Sequence, residues 1–129
     1  MKKHIFWILA LLFSACVTRE IVLKESGTVI PLGPQVVPGG VWFAVVIPDA
    51  QTVTVAGSFN GWRPAEYHLT NTSALRLWSG FVPITTPGEA QFKYIRNGYD
   101  WRSDPCARRV SDGMGGKNSV VVIPAPVSE

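Results

Sequence analysis

Histidine-centred chemistry has little to work with in this chain. The two histidines are His4, in a basic stretch near the N-terminus, and His68. Neither a Ser–His–Asp relay nor a multi-histidine metal site can be built from them. Gly57-Ser58-Phe59-Asn60-Gly61 misplaces its serine for a nucleophile elbow. Gly113-Met114-Gly115-Gly116-Lys117-Asn118 has the glycines and lysine of a phosphate loop. It lacks the required spacing and the hydroxyl residue after lysine, and it precedes a strand pattern, not a helix. Asp100, Asp104 and Asp112 could be paired as glycosidase carboxylates, but a chain this short offers no deep cleft around them. Catalysis is therefore not expected, and no cofactor or metal is called for. Binding chemistry remains. Trp62 follows an Asn60-Gly61 turn that should face water, whereas Trp42 and Trp78 sit inside strand patterns and read as packing or partly exposed residues.

The elements that must position these residues are strands. The 129 residues suit one domain, and Val, Ile, Thr and aromatic residues recur in short runs punctuated by Gly and Pro. Residues 41–47 are an almost continuous apolar run closed by Pro48. Residues 52–56 alternate, with Val53 and Val55 on one face. Residues 75–84 form another strand, whose phase slips near Leu77-Trp78 and suggests a bulge. Residues 89–96 alternate, with Phe92 and Tyr94 on one face and Gln91, Lys93 and Ile95 on the other; Asn97-Gly98 then marks a tight turn. Residues 119–123 are the last strand. Strands at this spacing predict an all-β, two-sheet sandwich. Residues 17–40 carry three prolines and four glycines and read as a spacer, part of which, 21–23 or 28–30, adds an edge strand. Residues 124–129 read as a frayed tail. Arg108-Arg109 reads as a solvated loop.

The N-terminus reads as an export signal. Lys2, Lys3 and His4 precede an unbroken apolar run over residues 5–13, followed by Ser14, Ala15 and Cys16. Nine apolar residues make a helix of roughly 14 Å, against about 30 Å of bilayer hydrocarbon. The formal charge of +3 drops to +1 without Lys2 and Lys3, so the chain shows no nucleic-acid footprint. Phe13-Ser14-Ala15-Cys16 resembles the bacterial lipoprotein cleavage box, with Phe13 where leucine is usual. That resemblance implies residues 1–15 as signal, a lipid-bearing Cys16, and attachment to an outer or periplasm-facing membrane of the bacterial envelope. Cys106 is then left without a partner, with no disulfide required.

Residues 41–123 carry four stretches in order: Gly40-Val41-Trp42-Phe43-Ala44-Val45-Val46-Ile47-Pro48-Asp49-Ala50; Val53-Thr54-Val55-Ala56-Gly57-Ser58-Phe59-Asn60-Gly61-Trp62; Phe92-Lys93-Tyr94-Ile95-Arg96-Asn97-Gly98 leading to Trp101 and Asp104-Pro105; and residues 114–118. Together they resemble the glycogen-binding domains of the AMP-activated protein kinase β subunit and of the N-termini of isoamylases and branching enzymes. The resemblance implies an immunoglobulin-like sandwich that binds α-glucan chains, beside an α-glucan-active enzyme in some members. Sugar C–H faces need flat aromatic platforms, and hydroxyls need polar side chains. By position, the resemblance assigns platforms to Trp62 and Trp101, polar contacts to Lys93 and Asn118, and the site edge to Met114.

Two departures stand out. Tyr99 and Asp100 separate the turn glycine from Trp101, where the family has one residue. A one-residue shift would turn Trp101 to the other face, unless a bulge restores it or Tyr99 supplies the platform. Gly116 stands where the family has a threonine, which removes one hydroxyl contact. The alternative reading is an envelope scaffold or protein-interaction domain that keeps the fold without the sugar site.

Overall fold

The structure is a computed structural model and describes residues 16, 19–22, 27–72 and 76–126. The expected signal, residues 1–15, lies outside the described residues, as do 127–129 of the expected tail and residues 23 and 75 of two expected strands.

Alternation along the chain becomes two antiparallel sheets. The first has the order β3 (Gly33–Val37), β4 (Gly40–Val46), β8 (Leu77–Val82), β7 (Thr70–Thr72). The second runs β11 (Arg108–Ser111), β12 (Lys117–Ile123), β9 (Gly88–Arg96), β5 (Val53–Gly57), β6 (Tyr67–His68), with β10 (Asp100–Arg102) also paired to β9. A separate ribbon, β1 (Glu20–Val22) with β2 (Val29–Pro31), leads into β3. The fold is all-β and of the immunoglobulin-like sandwich type.

Inward positions of both sheets meet in one core. Val41, Phe43 and Val45 of β4 pack with Val53 and Val55 of β5, Phe92 and Tyr94 of β9, and Val121 and Ile123 of β12. Phe43 stands edge-on to Phe92 at 4.9 Å and to Tyr94 at 6.1 Å. Each such buried ring contributes about 1.5–3 kcal/mol.

Tyr94 also links the core to a buried carboxyl, that of Asp104. Its Oη donates to Asp104 Oδ2 at 2.6 Å, and Asp104 Oδ1 accepts from the Cys106 backbone N–H at 2.8 Å. Burial raises the Asp104 carboxyl above its ordinary range, against the lowering pull of its Tyr94 and Cys106 hydrogen bonds. Its contribution to stability is therefore full in acid and falls as pH rises through the raised value. Asp104 is thus a structural turn-former. Tyr94→Phe leaves that buried carboxyl short of one donor and should cost about 1–3 kcal/mol; urea unfolding at neutral pH measures it.

In its strands and cysteines the structure departs from the sequence expectations at four places. The edge strand is β3, from Gly33 to Val37, so the sandwich begins inside the stretch read as a spacer. Its Pro34 is tolerated because an edge strand has one unpaired side. No bulge interrupts β8: the register runs unbroken from Val41↔Val82 to Val46↔Leu77. Leu77 and Trp78 are both buried because that end of the strand is covered on both faces. Arg108 and Arg109 lie in β11, not in a loop, and Arg108 Nη2 meets Glu89 Oε1 at 2.6 Å.

The fourth departure concerns the cysteines. Cys16 is joined to Cys106 in a disulfide that spans 90 residues of chain. Cys106 therefore has a partner. The bond engages the sulfur of Cys16, the same atom that the cleavage-box resemblance would give to a lipid.

Candidate functional site

Gly57-Ser58-Phe59-Asn60-Gly61-Trp62 builds the first wall of the site. The Asn60 side chain closes the turn from both ends: Oδ1 accepts from Gly57 N–H at 3.1 Å, and Nδ2 donates to the Arg63 carbonyl at 3.1 Å. Trp62 N–H donates to the Gly57 carbonyl at 2.9 Å, which holds Trp62 in the left-handed region at φ 61°. An aromatic residue adopts that conformation only where its surroundings enforce it. Gly57 admits no side chain, because a Cβ there would collide with the Gln91 carbonyl and the Phe59 ring. Thr54 Oγ1 donates to the Pro64 carbonyl at 2.6 Å and holds the returning segment against β5.

The floor is the outer face of β9. Lys93 and Gln91 point outward, opposite the core-facing Phe92 and Tyr94. Ile95 shares their outward phase, yet it is fully buried beside Thr54. Trp101 pairs with Ile95 across the β9–β10 ladder, and so lies on the same face as Lys93. The extra residue is absorbed in the turn: Asn97 and Gly98 both take positive φ, and Arg96 still pairs with Asp100. The strand register is untouched, and no bulge in β10 is needed. Tyr99 stands at the turn tip, 70% exposed. It is not among the residues that line the site.

The far wall is the segment between β11 and β12. Asp112 organises it. Its Oδ1 accepts from the backbone N–H of Met114 at 2.7 Å and of Gly116 at 3.0 Å, and its Oδ2 accepts from Lys93 Nζ at 3.0 Å. The Lys93 bond, followed by the two backbone bonds, lowers the Asp112 carboxyl below its ordinary range. Gly116 belongs to this arrangement: a Cβ there would lie 2.7 Å from Asp112 Oδ2. The missing side chain at Gly116 therefore leaves room for the carboxylate that grips Lys93. Asn118 is the second residue of β12, paired with Val110, and is not in the loop itself. Its Nδ2 donates to Gln91 Oε1 at 2.9 Å.

These walls enclose an open cleft of about 620 Å³ lined by Ser58, Trp62, Gln91, Lys93, Trp101, Asp112, Met114 and Asn118. The structure thus brings together Trp62, Lys93, Trp101, Met114 and Asn118, and leaves Tyr99 outside. Sequence reasoning missed Ser58, Gln91 and Asp112. Gln91 was available from alternation, being two residues before Lys93 on the same strand face. Asp112 had no comparable signal, because its role depends on how one loop folds.

The arrangement offers two indole surfaces, one cation fixed by a carboxylate, two amides and a hydroxyl. That set suits a neutral ligand with apolar faces and a hydroxyl rim. Asp112→Ala frees Lys93 and unpins the Met114 segment, and affinity for such a ligand should fall roughly five-fold, the cost of ordering a flexible side chain on binding. Asp112→Asn keeps the acceptor for the two backbone bonds and should retain more affinity. Because the Asp112 carboxyl is lowered, the pairing persists as pH falls through the ordinary carboxylate range and is lost only below it. Titrations across mildly acid to neutral pH should therefore give one affinity.

Comparison with known proteins places the chain among carbohydrate-binding modules. Three relatives, each a 1,4-alpha-glucan branching enzyme GlgB, illustrate the match. That of Burkholderia lata is 42% identical over 74 residues, covering 54% of this chain and 10% of the enzyme. That of Salinibacter ruber is 38% identical over 73 residues, covering 55% and 12%. That of Pseudomonas syringae pv. tomato is 45% identical over 55 residues, covering 43% and 7%. The chain therefore spans only about a tenth of the length of the relatives it matches. The family description of carbohydrate-binding module 48 (isoamylase N-terminal domain) matches residues 31–107, which takes in Trp62, Lys93 and Trp101 and stops before Asp112 and Asn118. With that span of the chain matched, and with a sandwich of the expected kind, the chain belongs to the carbohydrate-binding module 48 family.

Proposed function

We propose that this domain is a non-catalytic module that binds α-glucan chains such as starch, maltodextrin or glycogen in the Trp62–Trp101 cleft. The observation that carries the reading is the convergence of Trp62, Lys93, Trp101 and Asn118, drawn from three separate stretches, on one open cleft. Two rings give stacking surfaces for sugar faces, and the polar groups between them match the hydroxyl rim. The name of its relatives, 1,4-alpha-glucan branching enzyme, supports the α-1,4 chain as ligand and an α-glucan-active enzyme as a partner. Calorimetric titration with maltoheptaose and glycogen, against a β-linked oligosaccharide of similar length, tests this. Saturable heat with the α-linked ligands alone is expected; silence with all three, from folded protein, sinks the reading.

The proposal includes export from the cytoplasm. Its supports are the order of charge, apolar run and small residues at positions 2–16, and a disulfide of the kind that persists in oxidising compartments. Membrane attachment through an acylated Cys16 is the other fate of that sulfur, and it would leave Cys106 as a thiol. Intact mass and thiol labelling of protein recovered from bacterial envelopes separate the forms. We expect neither thiol label nor acyl mass.

One observation favours a second reading. Trp42 and Phe81 form a cross-strand pair on the outer face of the other sheet, 38% and 48% exposed. An exposed aromatic pair of this kind suits protein contact, as an interaction domain of the envelope would require. If that reading holds, Trp42→Ala with Phe81→Ala changes partner association and leaves glucan titration unaltered.

A further inference from the structure

A second cavity of about 370 Å³ opens beside the cleft. Its lining includes Ser58, Phe59, Thr85, Thr86 and Glu89, and Ser58 also lines the cleft. Ser58 is fixed as the shared wall: its N–H donates to the Gln91 carbonyl at 2.9 Å, and its Oγ accepts from the Gln91 N–H at 3.1 Å.

A row of polar groups joins the two spaces. Asn118 Nδ2 donates to Gln91 Oε1 at 2.9 Å, Gln91 Nε2 donates to Glu89 Oε2 at 3.4 Å, and Arg108 Nη2 donates to Glu89 Oε1 at 2.6 Å. Lys93, Gln91 and Glu89 follow one another along the outer face of β9 and cover about 13 Å of strand. The cleft end of this row carries the two tryptophans. The other end carries no tryptophan, but it offers the Thr85 and Thr86 hydroxyls and the Glu89 carboxylate beside the Phe59 ring.

We infer that the second cavity is an extension subsite, which takes further glucose units of the same chain after it has crossed the Trp62–Trp101 cleft. The inference rests on the glucan-binding reading of the cleft. It adds a consequence for substrate class: the module selects longer oligosaccharides over short ones. Hydroxyl and carboxylate groups suit it. Serine and threonine both donate and accept, and a carboxylate accepts strongly, which matches the hydroxyl rim of a saccharide. The site bonds an uncharged chain, because the Glu89 charge is already met by Arg108.

The test compares maltotriose with maltoheptaose by calorimetry, on the wild-type domain and on a Thr85→Val, Thr86→Val double variant. Both threonines are exposed, so the variant should keep its fold, and its melting temperature checks this. Wild type should bind maltoheptaose roughly ten-fold more tightly than maltotriose, as two or so additional hydrogen bonds would give. The variant should keep its maltotriose affinity and lose most of that gain. A parallel amide-shift titration should move Thr85 and Thr86 with maltoheptaose and leave them still with maltotriose. Equal affinity for the two sugars in wild type, or an undiminished gain in the variant with still threonine amides, overturns the extension while leaving cleft binding intact. If wild type binds neither sugar, the cleft reading falls and the extension with it.

Discussion

Reducing the Cys16–Cys106 bond should lower the melting temperature of the domain by roughly 10–25 °C. The bond closes a loop of 90 residues that contains every strand from β1 to β10. Chain-entropy bookkeeping assigns such a loop about 4–5 kcal/mol, drawn from the unfolded state. The realised value is lower, because the β1–β2 ribbon gains freedom in the reduced native protein and recovers part of that entropy. About 2–4 kcal/mol is left, and a domain of this size shifts by about 4–8 °C per kcal/mol. Thermal melts with and without reductant measure it, with Cys106→Ser as the covalent control. The variant should melt with the reduced protein in both conditions. A variant that melts with the oxidised wild type would show that the bond contributes nothing.

The second large effect belongs to the platforms. Trp62→Ala or Trp101→Ala should weaken glucan binding at least 30-fold, since truncating a central aromatic anchor typically costs 2 kcal/mol or more. The two variants should differ in stability. Trp62 occupies a left-handed position fixed by the Asn60 turn, and alanine there meets the same backbone strain with less packing. Trp101 lies on a short strand with 42% exposure, and its loss should leave the melting temperature nearly unchanged. Calorimetry and thermal melts on both proteins give the comparison. Retained affinity in Trp101→Ala would show that Trp62 alone carries stacking.

The strands were legible where one face is buried and the other wet. In β9 the alternation of Phe92 and Tyr94 against Gln91 and Lys93 marks out the floor of the cleft. The face of Trp101 was not legible, because residue counting cannot tell whether an extra residue enters the strand or the turn. Two consecutive positive-φ positions, Asn97 and Gly98, settled it in favour of the turn. The spacer reading of residues 17–40 misled for a related reason. Proline and glycine there resemble a spacer, but an edge strand tolerates Pro34 and a residue such as Gly33 that approaches Cys106 closely. The disulfide was hidden by distance along the chain, and by a neighbourhood of Cys16 that carries a different and competing signal. Asp112 was read only as a carboxylate to be dismissed from catalysis, whereas its work is to hold Lys93 and one loop in place.

The same bond that closes the loop also changes how the domain would bear a pull. Tension applied at Cys16 need not travel through the strands in sequence. It crosses the Cys16–Cys106 bond and arrives directly ahead of β11. The ten preceding strands lie in parallel with that covalent shortcut and are shielded from stretching. The β11–β12 hairpin, which carries Asp112 and Asn118, becomes the first element under load, so in the oxidised protein a mechanical tug on the N-terminal side is felt at the rim of the cleft before it is felt in the core.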